Sequence, residues 1–323
     1  MKLIYRKSHI WICTILACVA VLCIAAMPVT AQVKKPAAAS AFRTVTIITE
    51  PNATVWIEGV KYGKTADDGK LTITTVAPGR RVLRVRADGF KEVTKTLLPA
   101  QKGNIDIPLA KTTDAAELAC QQAEILATTD RNKAVESYKK AISLRPRFAE
   151  AYIGLARVYS EAGKREEAEK AIKEGRKISP RSAELSAIEG RTFKDGGDDE
   201  KAIASFKRAI IEGGGFQPEA NTGLGLIYKE KAENAGAAGD YEQEKANYTA
   251  AAKYFSLAVK QLSGAPDAVI LYQFLGLVYE QQKKFKEAIA VYQEFLRLFP
   301  NDPESAAFES YIVQLKKQLN GPK

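Results

Sequence analysis

The chain has 323 residues, which is enough for two or three domains. Hydrophobic residues make up 46% and charged residues 27%, a balance that is ordinary for globular proteins and argues against wholesale disorder. His9 is the single histidine, and three of the four cysteines lie within the first 23 residues. Beyond residue 31 the chain therefore has no imidazole and one thiol, Cys120. This excludes serine–histidine and cysteine–histidine catalysis, histidine zinc sites and internal disulfides there.

The N-terminus has the pattern of an export signal. Three basic residues precede an uncharged apolar stretch from Ile10 to Met27, and Val29-Thr30-Ala31 supplies a small-x-small cleavage site. This predicts a signal peptide over residues 1–31, cleaved after Ala31. The apolar stretch also approaches the length of a membrane span, so a retained N-terminal transmembrane anchor is the alternative. Either reading places the rest of the chain in the periplasm or cell envelope.

The positive charge is concentrated at the N-terminal side. Of the formal net charge of +10, residues 43–111 contribute 12 basic against 7 acidic residues, whereas residues 112–323 hold 31 of each sign. A nucleic-acid partner is therefore not expected. The predicted strand over residues 80–86 concentrates four arginines that are candidate contacts for an anionic cell-wall polymer or a membrane surface. They are Arg80, Arg81, Arg84 and Arg86. A solvated strand face is the simpler interpretation.

A small β domain is predicted over residues 43–111, after an Ala-, Lys- and Pro-rich linker at 32–42. Five short segments alternate apolar and polar residues, and turn signals such as Pro78-Gly79 and Asp88-Gly89 separate them. Alternating runs at this spacing predict an antiparallel sandwich. With one core of about 65 residues, the sheets are expected to be compact.

The same residues resemble a known family. Glu50-Pro51-Asn52-Ala53, Ala77-Pro78-Gly79 and Ala87-Asp88-Gly89-Phe90 are similar to the PEGA domain, although the glycine that the family carries before its alanine is missing here. Gly63 to Gly69 also resembles the related carboxypeptidase-regulatory-like sandwich. Both resemblances imply a non-catalytic module, and the PEGA family implies the bacterial envelope or cell surface.

From residue 114 onward the chain repeats itself every 34 residues. Ala134, Ala168 and Ala202 keep this spacing, as do Pro146 and Pro180. Each period holds two apolar patterns of helical spacing, with small residues where two helices approach and a proline after the second. This spacing resembles the tetratricopeptide repeat (TPR), and five repeats span residues 114–302. The resemblance implies an α-solenoid, so the fold class is an all-β sandwich followed by an all-α TPR solenoid.

Three departures from the repeat pattern carry expectations of their own. Gln121 and Gln122 occupy positions that the TPR family fills with leucine and a small residue. The fourth repeat carries an insertion near residues 229–248, which is expected to lengthen both of its helices by about two turns. Residues 303–320 form a final amphipathic helix, as expected of the cap that a solenoid needs.

No catalytic, cofactor-binding or metal-binding residue is expected. Gly223-Leu224-Gly225 lies inside a helical pattern and lacks the strand and third glycine of a phosphate loop. The acidic run Asp195–Glu200 lacks calcium-loop spacing, so Asp198 or Asp199 is expected to cap a helix. Cys120 has no accompanying base and is expected to be a packing residue.

The remaining candidate site is a surface. The TPR resemblance implies that the first helix of each repeat lines a concave groove that binds a peptide or helix. The corresponding groove residues are Ile153, Arg157, Arg191, Lys194, Leu226, Lys229, Ile270, Gln273 and Leu277. The first part of this set is cationic and the last part apolar, which suits a partner with an acidic stretch followed by hydrophobic anchors.

These observations predict an exported, non-catalytic scaffold that binds a partner protein of the cell envelope through this groove. The alternative is a surface module whose basic sandwich binds anionic glycan or lipid, with the repeats as a spacer.

Overall fold

The structure is a computed structural model and describes residues 42–320. It confirms the fold class: a two-sheet β domain is followed by a solenoid of paired helices. The strands are β1 (Arg43–Ile48), β2 (Thr54–Ile57), β3 (Val60–Lys64), β4 (Lys70–Val76), β5 (Arg81–Arg86), β6 (Val93–Leu97) and β7 (Gly103–Asp106). One sheet has the order β4-β1-β7 and the other β3-β2-β5-β6.

The sandwich core forms from the alternation seen in the sequence. Val45 and Ile47 of β1 and Leu83 and Val85 of β5 are fully buried between the two sheets. Because successive side chains of a strand point to opposite faces, the residues between them are left on the outer faces. Arg84, which lies between the buried Leu83 and Val85, is therefore on the outer face of the second sheet.

The structure differs from the predicted sandwich in two ways. Strands β3 and β6 were not among the five predicted segments, and β6 carries the exposed run Thr94 to Thr96, which has no apolar alternation. In addition, β1 and β7 pair in parallel, so the expectation of a purely antiparallel sandwich is wrong. The chain reaches β7 by crossing over from β6 in the other sheet, and this crossover lets β7 run in the same direction as β1.

Eleven α-helices follow within the described residues. They are α1 (Ala115–Leu126), α2 (Arg131–Leu144), α3 (Ala149–Glu161), α4 (Arg165–Ile178), α5 (Ala183–Asp195), α6 (Asp199–Glu212), α7 (Pro218–Ala237), α8 (Tyr241–Leu262), α9 (Val269–Gln281), α10 (Phe285–Leu298) and α11 (Ser305–Asn320). A single 3-10 turn, Pro266–Ala268, connects α8 to α9. The helices pack as successive antiparallel pairs, from α1 with α2 to α9 with α10, and α11 packs on α10.

Small residues allow the two helices of a pair to approach closely. A Cβ atom at Gly190 of α5 would lie 2.5 Å from the Phe206 ring of α6, and one at Gly276 of α9 would lie 2.0 Å from the Tyr292 ring of α10. No side chain fits at these distances, so glycine is required for the aromatic ring to lie flat against the facing backbone. The small residues of each repeat therefore mark the positions at which its two helices come closest.

The fourth helix pair is longer than the others. Helices α7 and α8 have 20 and 22 residues, whereas the other four pairs are built from helices of 12–14 residues. The additional turns pack on each other, since Ala232 and Tyr248 are buried and the rings of Tyr228 and Tyr254 stack at 5.6 Å. The pair therefore projects beyond its neighbours as a packed hairpin with Tyr241 exposed near its tip.

Helix α11 closes the C-terminal end of the stack. Phe308 is buried and its ring stacks on Phe295 of α10 with centroids 3.9 Å apart. The opposite side of α11 carries Glu309, Lys316 and Lys317, all exposed. Val313 is also exposed on this helix, so its outer side is largely but not wholly polar.

Candidate functional site

The first helices of the second, third and fourth pairs pack side by side. Helix α3 packs on α5, and α5 packs on α7. All nine groove residues predicted from the sequence lie on α3, α5, α7 or α9. We call the surface that they form the inner groove. Its two halves differ in chemistry.

The half of the inner groove formed by α3, α5 and α7 contains an ion-pair cluster. Arg157 lies 3.1 Å from a carboxylate oxygen of Glu219, and Arg191 donates to Glu161 at 3.1 Å and also to Glu219. Burial lowers the pKa of Arg157, but the carboxylates of Glu219 and Glu184 outweigh it, and the pKa is raised above its usual value. Two arginines here face three carboxylates, those of Glu161, Glu184 and Glu219, so this part of the groove is polar and has no excess of positive charge.

The two lysines of the set are also close to acidic groups. Lys229 donates to Glu233, one turn further along α7, at 2.6 Å. Lys194 lies 4.0 Å from the carboxylate of Asp195, at the edge of an ion-pair distance. The positive charge that the sequence indicated is thus largely engaged within the chain.

The other half of the inner groove is apolar and open. Ile270 and Leu277 of α9 are 48% and 37% exposed, and Gln273 lies exposed between them. Residues seven apart lie on one face of a helix, so the two apolar side chains lie on one strip of α9, on either side of Gln273. Leu226 of α7 is partly buried against the same core cluster and extends the apolar surface toward α7.

Three of the four sandwich arginines also have partners within the chain. Arg84 stacks over the ring of Trp56 at 4.4 Å, and Arg86 over the same ring at 5.4 Å. Both lie within 3.8 Å of Glu92, and Arg86 also pairs with Glu124 of α1. The first of these contacts is a cation–π interaction, which orders the guanidinium on the sheet surface. In the neighbouring turn, Arg81 donates to the carbonyl oxygen of Pro78 at 2.8 Å, and Arg80 is exposed.

The sandwich contacts the solenoid first at α1. The side-chain amide of Gln121 donates to the carbonyl oxygen of Phe90 at 2.8 Å and accepts from the backbone N–H of Gly89 at 2.9 Å. Gln121 is 3% exposed. The glutamine that departs from the repeat pattern therefore joins the two domains, and together with the Arg86–Glu124 pair it holds the sandwich against α1.

A second contact joins the sandwich to the fourth repeat. The hydroxyl of Tyr62 on β3 donates to the carbonyl oxygen of Leu262 at 3.2 Å, and burial raises the pKa of this tyrosine to about 12. Val60 is buried in the core formed by α8, α9 and α10, and Thr75 contacts Gly264. The sandwich therefore contacts both the first and the fourth repeat.

The residues that make these contacts differ in how visible they are in the sequence. Gln121 departs from the repeat pattern, although the pattern does not show its role. Glu219 and Tyr62 gave no signal, because each acts on residues far away along the chain: Glu219 lies 62 residues from Arg157, and Tyr62 lies 200 residues from Leu262.

Cys120, Gly223 and Asp198, which lie in segments that resemble catalytic or ligand-binding motifs, occupy packing or capping positions in the structure. Cys120 is buried, and burial raises its thiol pKa to about 11, so the reactive thiolate is disfavoured. A Cβ at Gly223 would lie 2.3 Å from the Phe206 ring, as expected of a packing glycine. Asp198 caps α6 by accepting from the N–H of Lys201 at 3.2 Å, which confirms that prediction.

Metal-binding clusters and membrane-spanning helices are both absent from the described residues. Among residues 42–320, no group of three or more acidic, cysteine or histidine side chains is arranged to hold a metal ion. Within the same range, no helix combines the length and the apolar character that a membrane span requires. The stretch from Ile10 to Met27, on which the signal or anchor prediction depends, lies outside the described residues.

Comparison with family models identifies both domains. A model described as the PEGA domain matches residues 42–113, and two models described as the tetratricopeptide repeat match residues 126–191 and 229–303. The PEGA match supports the first of the two resemblances noted for the sandwich. No curated protein matches the chain.

Solved structures with a similar fold are tetratricopeptide proteins. Yeast Tom70 is 17% identical with a TM-score of 0.51, and the match covers 64% of this chain and 41% of that one. MamA is 21% identical with a TM-score of 0.41, over 61% of this chain and 97% of that one. Pseudomonas aeruginosa PilF is 16% identical with a TM-score of 0.45, over 64% and 93%. At 17% identity, the similarity to Tom70 is one of fold.

Proposed function

Because the chain carries a PEGA domain followed by tetratricopeptide repeats, we propose that it is an exported, non-catalytic scaffold. In this proposal it binds a partner protein of the cell envelope through the inner groove. The observation that carries the proposal is the open apolar strip of Ile270 and Leu277 on α9, next to a groove wall that ion pairs hold in place. Exposed apolar side chains in a concave surface are typical of a docking site.

The groove is organised before a partner arrives. Glu219 of α7 contacts Arg157 of α3 and Arg191 of α5, so one carboxylate ties three inner helices together. The sandwich contacts the first repeat at Gln121 and the fourth repeat at Tyr62, which restrains the array between them. A receptor that is already ordered loses little conformational entropy on binding, which leaves more of the contact energy for affinity.

The chemistry of the partner follows from the two halves of the groove. Ile270 and Leu277 favour a segment with apolar anchors two helical turns apart, as in a helix that lies in a groove. Since Arg157 and Arg191 already have acidic partners, an acidic stretch of the ligand has to compete with Glu219 and Glu161. We therefore assign most of the affinity to the apolar anchors and orientation to the polar half.

The proposed location rests on the sequence and on the domain type. The basic and apolar N-terminus predicts export, with cleavage after Ala31 or retention as an anchor as the two outcomes. The PEGA domain supports the same compartment by resemblance to modules of bacterial envelope proteins.

Site-specific crosslinking tests the groove directly. A photo-crosslinking amino acid at the exposed Gln273 position of the full-length chain, expressed in the cells of origin, should form a covalent adduct with a protein partner. The adduct should disappear in an Ile270→Glu/Leu277→Glu variant and persist in an Ile211→Glu variant, whose isoleucine is 72% exposed on α6. The absence of an adduct at Gln273, or equal adducts in both variants, would move binding away from the inner groove.

The alternative function depends on free arginines on the sandwich, and the structure offers few. Arg81, Arg84 and Arg86 are engaged with carbonyl or carboxylate oxygens, and only Arg80 of the four has no such contact among the described residues. Co-sedimentation of the full-length chain with anionic lipid vesicles and with acidic polysaccharide checks this alternative. Binding that is lost on Arg80→Glu/Arg81→Glu but kept on Ile270→Glu/Leu277→Glu would favour the sandwich as the binding module.

A further inference from the structure

Two turns meet at the end of the sandwich where β1 begins. The guanidinium of Arg43, the first residue of β1, donates to the carbonyl oxygen of Gly79 at 2.9 Å and also to that of Leu98. The first acceptor lies between β4 and β5, and the second follows β6. Arg43 therefore holds the two turns together. We call these turns, residues 77–82 and 98–102, together with Arg43, the entry surface.

The entry surface carries positive charge that no ion pair compensates. Neither turn contains an acidic residue. The four cations of the surface are Arg43, Arg80, Arg81 and Lys102, and none of them forms an ion pair within residues 42–320. Carbonyl oxygens hold two of these guanidinium groups in place without neutralising their charge. The neighbouring β2–β3 turn adds one carboxylate, Glu58, which accepts from the backbone N–H of Val82 at 2.6 Å. Positive charge thus remains in excess.

Two apolar side chains are exposed on the same surface. Val82 and Leu98 are 44% and 49% exposed. Each is next to a fully buried leucine, Leu83 and Leu97 respectively, so both point away from the sandwich core. Val82 pairs with Thr96 across β5 and β6, which makes Leu98 its diagonal neighbour. The cations therefore border an exposed apolar pair.

The chain enters the sandwich at this end. Phe42 directly precedes Arg43, and residues 28–41 precede it in the sequence. These fourteen residues include two lysines and no acidic residue, and they span at most about 50 Å when fully extended. The apolar stretch over residues 10–27, which the sequence predicts to be a signal or an anchor, is thus connected to the entry surface by a short basic segment.

We propose that the entry surface binds the anionic headgroups of a lipid bilayer. Lysine and arginine side chains are attracted to such headgroups, and exposed apolar side chains beside them enter the boundary between headgroups and acyl chains. An acidic polysaccharide matches the cations alone, whereas a bilayer also matches the pair of Val82 and Leu98 and the position of the basic segment. Arg84 and Arg86, which are paired with Glu92, take no part.

This contact orients the scaffold at a membrane and leaves the inner groove free for a protein partner. The inference therefore goes beyond the proposed function, although it rests on the proposed location in the cell envelope.

Hydrogen exchange on vesicles tests the contact. The full-length chain is reconstituted with vesicles of phosphatidylcholine alone, and with vesicles in which one quarter of the lipid is phosphatidylglycerol. Peptides that cover residues 77–82 and 98–102 should exchange roughly threefold more slowly on the anionic vesicles, and high salt should remove the difference because it screens the attraction. The measurement is local, so attachment through the N-terminus alone does not produce this slowing.

Two double variants separate the charges from the apolar pair. Arg80→Glu/Lys102→Glu and, separately, Val82→Ser/Leu98→Ser should each remove the slowing on anionic vesicles. Both leave Arg43 and its carbonyl partners in place, so the two turns remain joined. Unchanged exchange in peptides from β1 and β2 shows that the sandwich is still folded.

Matched substitutions elsewhere control for a general change of charge or hydropathy. Lys207→Glu/Lys260→Glu removes two exposed cations from α6 and α8, and Ile211→Ser removes an isoleucine that is 72% exposed on α6. Both variants should keep the slowing at residues 77–82 and 98–102.

Three results would overturn the proposal. The first is equal exchange of these peptides on neutral and anionic vesicles. The second is slowing that persists in Arg80→Glu/Lys102→Glu. The third is the same slowing by soluble polygalacturonate without vesicles, kept in Val82→Ser/Leu98→Ser, which would make an acidic polysaccharide the ligand. Failure of the inner groove would appear separately, in the crosslinking experiment at Gln273.

Discussion

Replacing Gln121 with leucine should loosen the sandwich from α1, although leucine is the residue that the repeat pattern favours there. The substitution keeps the side-chain volume similar, so the change is confined to two hydrogen bonds, with Phe90 and Gly89. Both backbone groups lie in a partly buried loop. An unpaired polar group at such a site costs about 1 kcal/mol, at the low end of the range for buried groups.

The loss of both hydrogen bonds should destabilise the contact between the sandwich and α1 by about 2 kcal/mol. This corresponds to an increase of about 30-fold in the equilibrium constant for opening of that contact. Hydrogen exchange followed by mass spectrometry measures this opening. Peptides that cover residues 87–92 and 110–118 should exchange about 30-fold faster in Gln121→Leu. Peptides from β1 and β2 should be unchanged, because the core of the sandwich between Val45 and Val85 is not altered.

Gln122→Leu is the matched control, because Gln122 is the next residue in the sequence and is exposed. It should leave exchange in both peptides unchanged. Equal exchange in Gln121→Leu and the unmodified chain would refute the assignment of Gln121 as the residue that joins the domains. Faster exchange throughout the sandwich would refute it as well, since the substitution would then have unfolded the domain instead of opening one joint.

Three further predictions concern the ion-pair cluster, the thiol and acid stability. Glu219→Gln should lower the free energy of unfolding by about 1–2 kcal/mol in urea denaturation, because it leaves two partly buried guanidinium groups without their shared carboxylate. Glu233→Gln, which breaks a more exposed pair, should cost less than about 0.5 kcal/mol, and equal losses would contradict the cluster's role. Cys120 should resist alkylation at pH 8 in the folded chain and react fully in denaturant, as peptide mass mapping would show; rapid native labelling would contradict its burial. Asp114 accepts backbone hydrogen bonds from Glu117 and Ala116, and these lower its pKa below 3.8. The stability that the ionised carboxylate adds is therefore present above pH 3.8 and is lost as the pH falls through the folded-state pKa. Acid titration by circular dichroism should show a shallower low-pH loss of stability in Asp114→Ala, and an unchanged titration would count against the cap.

The sequence determined the features that depend on local periodicity. Alternation placed Val45, Ile47 and Val85 in the sandwich core, and the 34-residue period marked Ala134, Ala168 and Ala202, which are fully buried. These features are visible in one dimension because a strand or a helix pair repeats its own geometry along the chain. Strand β6 escaped detection because its residues Thr94 to Thr96 are exposed and need no apolar alternation. Strand β3 escaped detection because its one buried residue, Val60, packs in the core of the solenoid helices instead of the sandwich core.

Only the tertiary structure decided which charges and surfaces are free. Arg157 and Arg191 look like open cations in the sequence, yet Glu219 reaches both because the twist between successive repeats brings α7 beside α3 and α5. Likewise, the hydroxyl of Tyr62 contacts Leu262 although 200 residues separate the two along the chain. Such pairings depend on how many repeats accumulate their small rotations, a quantity that no single repeat encodes. The exposed side chains of Ile270 and Leu277 on α9 are among the surfaces that remain accessible after these pairings have formed.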